Sequence, residues 1–204
     1  MLLGLRAGSA LDLRSAAMPL LRRLAHDTGE TSLLTGLNSQ RDASVCLERV
    51  ESTQPLRLSV TPGHQLPLHA GASQKALAAF MDADSIERLL SSPLKPLCHN
   101  TIIDPGLLHA ELKKVRSAGL AFSTGETNLD VSGIALPILN EQGGVICAVG
   151  IAGPTARFNK QKIDDLALQT HAAAEEIAHV VGGHVPPMMT AVYKKPKRST
   201  TRRE

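Results

Sequence analysis

Residues 71–75, Gly-Ala-Ser-Gln-Lys, form the first arrangement that could do chemistry. A lysine behind small residues at a helix start is typical of a loop that cradles a phosphate. Such a loop needs a glycine directly before the lysine and a Ser or Thr directly after it. Gln74 precedes Lys75 and Ala76 follows it. The spacing therefore argues against nucleotide binding, and Lys75 is expected to be a structural or surface residue.

The other reactive residue types show no catalytic or metal-binding pattern. The three cysteines, Cys46, Cys98 and Cys147, are too widely spaced to indicate a disulfide framework or a thiolate metal site. The eight histidines form no i, i+4 pair with a carboxylate of the helical zinc type. Glu126 is a candidate lone acid with no evident partner. The residues therefore predict no catalytic site, no metal and no cofactor.

Small residues cluster in two places, and this pattern has two possible explanations. Gly71, Ala72 and Ser73 precede a helical pattern, and backbone N–H groups at a helix N-terminus attract anions. A second cluster falls within apolar strand-like segments: Gly133, Ala135, Gly150, Ala152 and Gly153. Small residues in strands accompany close approach by a ligand or by another backbone. A ligand pocket and tight helix–sheet packing therefore both remain open.

Composition and charge limit the class of protein. Apolar residues make up 43% of 204 residues and aromatics only 2%, so the core must be aliphatic and base-stacking nucleic-acid modules are disfavoured. The net charge is +3, but residues 184–204 carry +5, which leaves the remainder at −2. Residues 1–183 thus lack the basic charge expected of a DNA-binding surface. No apolar run approaches the ~18 residues of a membrane helix, and no signal peptide is evident, so a cytoplasmic location is expected.

Hydrophobic periodicity predicts the elements that position these residues. A helix is expected over 11–28, with Pro19 inside it and Gly29 as its C-cap. Further helices are expected over 72–81, 85–90, from Asp104-Pro105 to about 118, and over 160–181. Strands are expected over 31–37, 43–51, 56–60, 120–123, 131–139 and 145–152. Runs of strands separated by runs of helices favour an α+β fold with an antiparallel sheet.

Seven short segments, in order along the chain, carry a resemblance to a known family. They are LLRRLAHDTGET (20–31), LERVES (47–52), GHQLPLHA (63–70), KAL (75–77), VRSAGLA (115–121), IALPI (134–138) and IAGPTAR (151–157). On these residues the chain resembles the effector-binding domain of IclR-type bacterial transcriptional regulators. The resemblance implies a GAF-like (profilin-like) fold, in which helices flank a curved antiparallel sheet with a small-molecule pocket.

The resemblance also implies partners and a domain organisation. The expected partners are a small organic acid or aromatic effector and further copies of the chain, as a dimer or tetramer. Operator DNA is expected only through a winged helix-turn-helix that precedes this domain in the family and is missing here. Residues 1–10 are expected to be a remnant of the interdomain linker, 11–183 the effector-binding domain, and 184–204 a basic, proline-containing, disordered tail.

The resemblance further assigns pocket residues, and this sequence departs from the family at several of them. The implied ligand-binding residues are Leu58, Leu66, Ala72, Ser73, Ser123, Val131, Gly133, Gly150 and Ala152. Family members often carry an acid at Ser123, a cysteine at Gly133 and serines at Gly150 and Ala152, so this pocket is expected to be roomier and less polar. We therefore expect an aromatic or medium-chain carboxylate, with its carboxylate near the N–H groups of Ala72 and Ser73.

Two other functions remain as alternatives at this stage. One is a GAF-like oligomerisation module that binds no ligand, which would require bulky side chains to fill the pocket. The other is a cysteine-based redox sensor or enzyme on the same scaffold, which would require a reactive thiol among the three cysteines. The leading expectation is a regulator domain that is not an enzyme.

Overall fold

The computed structural model describes residues 2–189, with side chains from residue 13 onward. In these residues five helices and six strands follow one another in the predicted order. The helices are α1 (Leu2–Thr28), α2 (Ala72–Ala78), α3 (Ala83–Ser91), α4 (Pro105–Ala118) and α5 (Ile163–Val180). The strands are β1 (Thr31–Leu37), β2 (Ala43–Val50), β3 (Gln65–Pro67), β4 (Ala121–Thr124), β5 (Val131–Leu139) and β6 (Val145–Pro154).

Helix ends are set by local sequence, as expected. The Asp104 side chain accepts a hydrogen bond from the backbone N–H of Leu107, Pro105 occupies the first turn, and left-handed Gly119 ends α4. Asp82 caps α3 in the same way through the N–H of Ser85. Gly29, at φ 70°, ends α1, and its N–H donates to the carbonyl of Ala25. These residues determine where α1 ends, where α3 begins, and where α4 begins and ends.

The six strands form a single antiparallel sheet in the order β3-β2-β1-β6-β5-β4. β1 and β6 are central, so the first and second halves of the chain join along that pair. The sheet curls into a half-barrel, and the predicted α+β, GAF-like architecture is confirmed. The β1–β2 ladder shifts register opposite Leu34–Thr35, where Leu47 is an extra residue on β2, and the β5–β6 ladder shifts opposite Ile138–Leu139, where Ile146 is an extra residue on β6. Such bulges increase local twist and bend the strand.

The two faces of the sheet differ in side-chain size. Large residues of β5 and β6 pack against α1 and α5 in one core: Ile134, Leu136, Ile138, Cys147, Val149 and Ile151. The residues between them face α2 and α4, and these are small: Gly133, Ala135, Ala148, Gly150 and Ala152. Since α2 itself is rich in alanine, its backbone approaches the sheet closely. Tight helix–sheet packing, one of the two explanations of the small residues, therefore applies to this face of the sheet.

Residues 56–60 do not form the predicted strand. β3 is instead the three-residue segment Gln65–Pro67. The carbonyl groups of 56–60 accept hydrogen bonds from side chains: Thr31 Oγ1 donates to Leu58 at 2.8 Å and Arg157 Nη1 to Leu56 at 3.0 Å. Arg49 donates to a third carbonyl, that of Val60. Side chains thus replace a strand ladder, and they hold this irregular segment against the sheet.

The body of the domain extends past the predicted boundary at Gly183. His184 forms a bridge with Leu139, and the N–H of Met189 donates to the carbonyl of Ala118 at 2.9 Å. Val185 and Met188 pack against the α1–α5 core. The expectation of disorder from residue 184 is therefore wrong for 184–189, while residues 190–204 lie outside the described part. Over the described chain, every helix is too short or too polar to cross a bilayer.

Candidate functional site

A cavity of about 340 Å³ lies between the N-terminus of α2, the adjoining ends of strands β1, β2, β5 and β6, and the irregular segment 58–64. Its volume falls at the lower end of the range for small-molecule sites, ~300–1,000 Å³. The apolar side chains of its wall come from β1, β3 and β5 and from the irregular segment: Leu33, Leu58, Val60, Leu66 and Val131. The cavity thus lies where the small residues of β5 and β6 face the N-terminus of α2.

Eight of the nine predicted ligand-binding residues line this cavity. They are Leu58, Leu66, Ala72, Ser73, Ser123, Val131, Gly133 and Ala152. Ser123 and Gly133 face each other across the β4–β5 pair, and Gly133 is the register partner of Ala152. The residues that the family resemblance implied therefore surround this cavity, although they did not include Ser59, Val60, Thr61 and His64, which also line it.

Gly150 is the exception and lies outside the cavity lining. It is the register partner of Ala135, two residues deeper in the sheet than the Gly133–Ala152 pair. A Cβ atom at Gly150 would lie 2.6 Å from the carbonyl oxygen of Ile134 and 2.9 Å from the Cβ of Ala135. Its small size serves close strand packing rather than access for a ligand.

This difference predicts opposite responses to one added methyl group. Gly150→Ala is expected to destabilise the protein by about 1–3 kcal/mol because the new atom meets backbone that cannot move aside. Gly133→Ala is expected to cost less than about 1 kcal/mol, since its Cβ has no contact closer than 3.1 Å and alanine lowers the entropy of the unfolded chain. Urea unfolding of both variants measures this, and equal stabilities would contradict the assignment.

No charged side chain occurs in the described lining of the cavity. Its polar groups are hydroxyls, amides, the thiol of Cys46 and the imidazole of His64. Ser44 and Gln74 are mutually bonded, with Gln74 Nε2 donating to Ser44 Oγ at 3.1 Å. The hydroxyls of Ser73 and Ser123, in contrast, have no hydrogen-bond partner among the described residues, although both side chains are buried. Unpartnered donors at a buried site favour a ligand that carries oxygen atoms.

The first turn of α2 presents backbone N–H groups beside these hydroxyls. The first intrahelical bond of α2 runs from the N–H of Lys75 to the carbonyl of Gly71 at 3.1 Å. The N–H groups of Ala72 and Ser73 precede that bond, so the helix itself provides them with no acceptor. The N–H of Gly71 is already used, because it donates to Glu126 Oε2 at 2.9 Å.

Lys75 lies behind the cavity wall as one of the most buried side chains of the protein, at 1% exposure. Its Nζ donates to Glu126 Oε1 at 2.6 Å, to Glu111 Oε1 at 3.0 Å and to the carbonyl of Phe122 at 2.9 Å. All three ammonium donors are therefore used. Of the two expectations for Lys75, the structural role is right and the surface location is wrong. Glu126, which lacked an evident partner in the sequence, bonds both Lys75 and Gly71.

The Lys75–Glu126 pair fixes the cavity wall in place. Glu126 holds the N-terminus of α2 through Gly71 and lies next to Thr127, and both Gly71 and Thr127 line the cavity. Glu111 extends the cluster to α4. A second ion pair, Glu30 with Arg157 at 2.5 Å, supports the opposite wall, because Arg157 also bonds the carbonyl of Leu56. The hydrogen bonds that Arg157 donates to the Glu30 carboxylate raise the pKa of Arg157 above its usual value.

The three thiols do not form a reactive centre. Burial raises the pKa of Cys147 to about 12 and also raises the pKa of Cys46. Cys98 is half-buried, and its Sγ donates to the carbonyl of Gly125 at 2.6 Å. Within the described chain, His, Cys, Asp and Glu side chains form no group of three that could hold a metal ion.

We expect a thiol titration to separate the three cysteines. In native protein at pH 8, Cys98 should react with an aromatic disulfide reagent first, and Cys147 should react only after unfolding, because thiolate is the reactive form. A Cys98→Ser variant should lose the fast phase. Rapid modification of Cys147 in the folded protein would contradict the structure and would support a redox role.

The comparisons with known proteins place this chain in a family. The family model described as "Bacterial transcriptional regulator IclR C-terminal" matches residues 6–179. The chain belongs to this family. Its relatives are regulators and repressors of transcription, so the expectation that the chain is not an enzyme is confirmed. The matched residues begin in the first turns of α1, end in the last turn of α5 and include all six strands.

Curated relatives and solved structures agree with this IclR assignment. The acetate operon repressor of Salmonella typhimurium is 30% identical over 166 residues, which cover 81% of this chain and 61% of the repressor. The chain thus spans about three fifths of that relative's length. A structure of a putative IclR regulator from Silicibacter sp. TM1040 superposes with a TM-score of 0.83, at 30% identity, over 91% of this chain and 72% of that one.

One solved neighbour contains a small aromatic acid. It is an IclR homologue from Microbacterium hydrocarbonoxydans in complex with 4-hydroxybenzoate. It superposes with a TM-score of 0.76 at 28% identity and covers 84% of this chain and 69% of its own. The IclR fold of this chain is therefore shared with a protein that binds an aromatic carboxylate.

Proposed function

We propose that this IclR domain senses an aromatic or medium-chain carboxylate that binds in the cavity beside α2. The observation that carries the proposal is an apolar cavity of about 340 Å³ whose polar end holds the unpartnered hydroxyls of Ser73 and Ser123. The apolar side chains of the wall match a hydrocarbon or aromatic body. The hydroxyls and the N–H groups of Ala72 and Ser73 offer donors to a carboxylate.

The cavity favours this ligand class over a two- or three-carbon keto acid. A keto acid has almost no apolar surface and would leave the leucine and valine side chains of the wall against water. Because the described lining has no cation, binding energy must come from apolar contact and neutral donors rather than from an ion pair. The neighbour in complex with 4-hydroxybenzoate supports the same class.

In the complete regulator, the ligand acts by shifting the equilibrium between two arrangements of the oligomer. We propose that the chain oligomerises, that a winged helix-turn-helix preceding residues 1–10 contacts operator DNA, and that the protein works in the cytoplasm. A ligand changes operator binding only if it binds one oligomer arrangement better than the other. Residues 11–183, together with the packed segment 184–189, form the sensing unit in this proposal.

A thermal-shift screen of the chain tests the proposal. The carboxylates are benzoate, 4-hydroxybenzoate, octanoate, pyruvate and glyoxylate. A ligand at 100 times its Kd stabilises by about 2.7 kcal/mol, which raises the Tm by about 5–10 °C for a domain of this size. Aromatic or medium-chain acids should produce such a shift and pyruvate should not. No shift with any acid would instead favour an oligomerisation module without a ligand.

A further inference from the structure

A second cavity, of about 380 Å³, lies on a different part of the domain. It is bounded by the turn between β1 and β2, the chain just before α2, the outer side of α3, and the segment that follows α3. It shares no lining residue with the first cavity. The proposed effector site therefore makes no use of it.

The floor of this second cavity is apolar. Pro67 and Leu68 contribute from the chain before α2, Leu89 from α3, and Leu94 from the segment after it. Leu68 is fully buried, whereas Leu97 at the edge is 40% exposed. The floor has room for a small apolar body and gains from covering Leu97.

The rim of the cavity is basic, and its cations form no direct ion pair with a described carboxylate. Arg41, Arg88 and Lys95 line it, and none of them has a carboxylate within 4 Å among the described residues. The one acid in the lining, Asp42, accepts a hydrogen bond from Asn38 Nδ2 at 2.7 Å. Asp82, beyond the rim, accepts hydrogen bonds from Ser85 that lower its pKa, and the charge of Arg41 contributes to lowering that pKa. Among the lining residues themselves, three cations and one carboxylate leave an excess of two positive charges.

Several hydrogen bonds hold this rim in shape. Arg88 Nη2 donates to Ser85 Oγ at 2.6 Å, and Ser92 Oγ donates to the carbonyl of Arg88 at 2.7 Å. The ring Nε2 of His69, which is buried, lies 2.9 Å from the carbonyl of Lys95. The segment after α3 is thus fixed against the floor, and the guanidinium of Arg88 is placed before any ligand arrives.

We propose that this second cavity binds an organic dianion with a small apolar body, a phosphate monoester or a dicarboxylate, independently of the effector. The excess of cations in the lining favours a doubly negative ligand, and an arginine fork pairs with phosphate or carboxylate oxygens. The apolar floor selects against inorganic anions, which have no surface to bury. A ligand here would contact α3 and the β1–β2 turn, which lie outside the lining of the first cavity.

Calorimetric titration with phenyl phosphate tests this inference. At pH 7.5 the probe carries nearly two negative charges. Wild-type protein should bind it at least tenfold more tightly than benzyl alcohol and more tightly than inorganic phosphate. Arg88→Gln and Lys95→Gln should each weaken binding, and the double variant should weaken it at least tenfold. Arg22→Gln, an exposed arginine on α1, is the matched control and should bind as wild type does.

The outcomes separate this site from the effector cavity. Ser123→Leu, which fills the first cavity, should leave phenyl phosphate binding unchanged. Absence of binding, equal binding of inorganic phosphate, or full affinity in the double variant would overturn the inference. Loss of binding in Ser123→Leu would indicate that phenyl phosphate binds in the first cavity, and it would also overturn the inference. The other overturning results leave open whether carboxylates bind beside α2, because that proposal is tested separately by the thermal-shift screen.

Discussion

Ser123→Leu is expected to weaken binding of an aromatic carboxylate by at least tenfold, about 1.4 kcal/mol, while the protein stays folded. The leucine side chain enters the cavity, because Ser123 lines it and its cross-strand neighbour Gly133 presents no side chain. The substitution also removes one of the two unpartnered hydroxyls. Titration calorimetry with 4-hydroxybenzoate, beside the Tm without ligand, measures both effects.

The control for this variant is Ser117→Leu, the same change on the exposed face of α4. It should bind the acid as wild type does. Gly133→Ile, which fills the cavity from β5 instead of β4, should reproduce the loss. If Ser123→Leu and Gly133→Ile both bind 4-hydroxybenzoate with wild-type affinity, the acid binds somewhere other than this cavity.

Lys75→Met is expected to lower the free energy of unfolding by about 3–5 kcal/mol, because it leaves buried carboxylates without their cation. Glu126 would keep only the N–H of Gly71 as a partner at its side-chain oxygens. For a domain of this size the loss corresponds to about 6–20 °C in Tm. Urea unfolding followed by circular dichroism measures it.

The double variant Lys75→Met with Glu126→Gln distinguishes a lost ion pair from lost packing. A neutral amide can still accept from Gly71, so the double variant should recover at least half of the lost stability. Lys113→Met, an exposed lysine on α4, should change stability by less than about 0.5 kcal/mol. If Lys75→Met were as stable as Lys113→Met, the buried cluster around Lys75 would contribute little to the free energy of unfolding.

Much of the fold could be predicted because its signals are local. The Asp104-Pro105 start and the Gly119 end of α4 are set by the dihedral angles and hydrogen bonds of neighbouring residues. Short apolar segments bounded by turn residues likewise predicted β5 and β6. The same signal was misleading at 56–60, where Leu58 and Val60 line a cavity and side-chain donors bond the carbonyl groups.

The candidate site was less predictable because it depends on distant partners. Lys75 bonds the carboxylates of Glu111 and Glu126, which are 36 and 51 residues away in the sequence. No local sequence pattern indicates such distant pairs. Gly133 and Gly150 are alike in sequence, yet one lines the cavity and the other lies in the packed sheet. The two glycines differ in their position relative to the N-terminus of α2. This relative position is set by the folded structure and cannot be read from the sequence around either glycine.

The most direct test of the effector proposal is a crystal structure of the protein with the carboxylate that gives the largest thermal shift. The account predicts density for the acid between α2 and β5, with its carboxylate within hydrogen-bond distance of the N–H of Ala72 or Ser73 and its apolar body against Leu58, Leu66 and Val131. An acid bound outside this cavity, or a carboxylate that points away from α2, would contradict it.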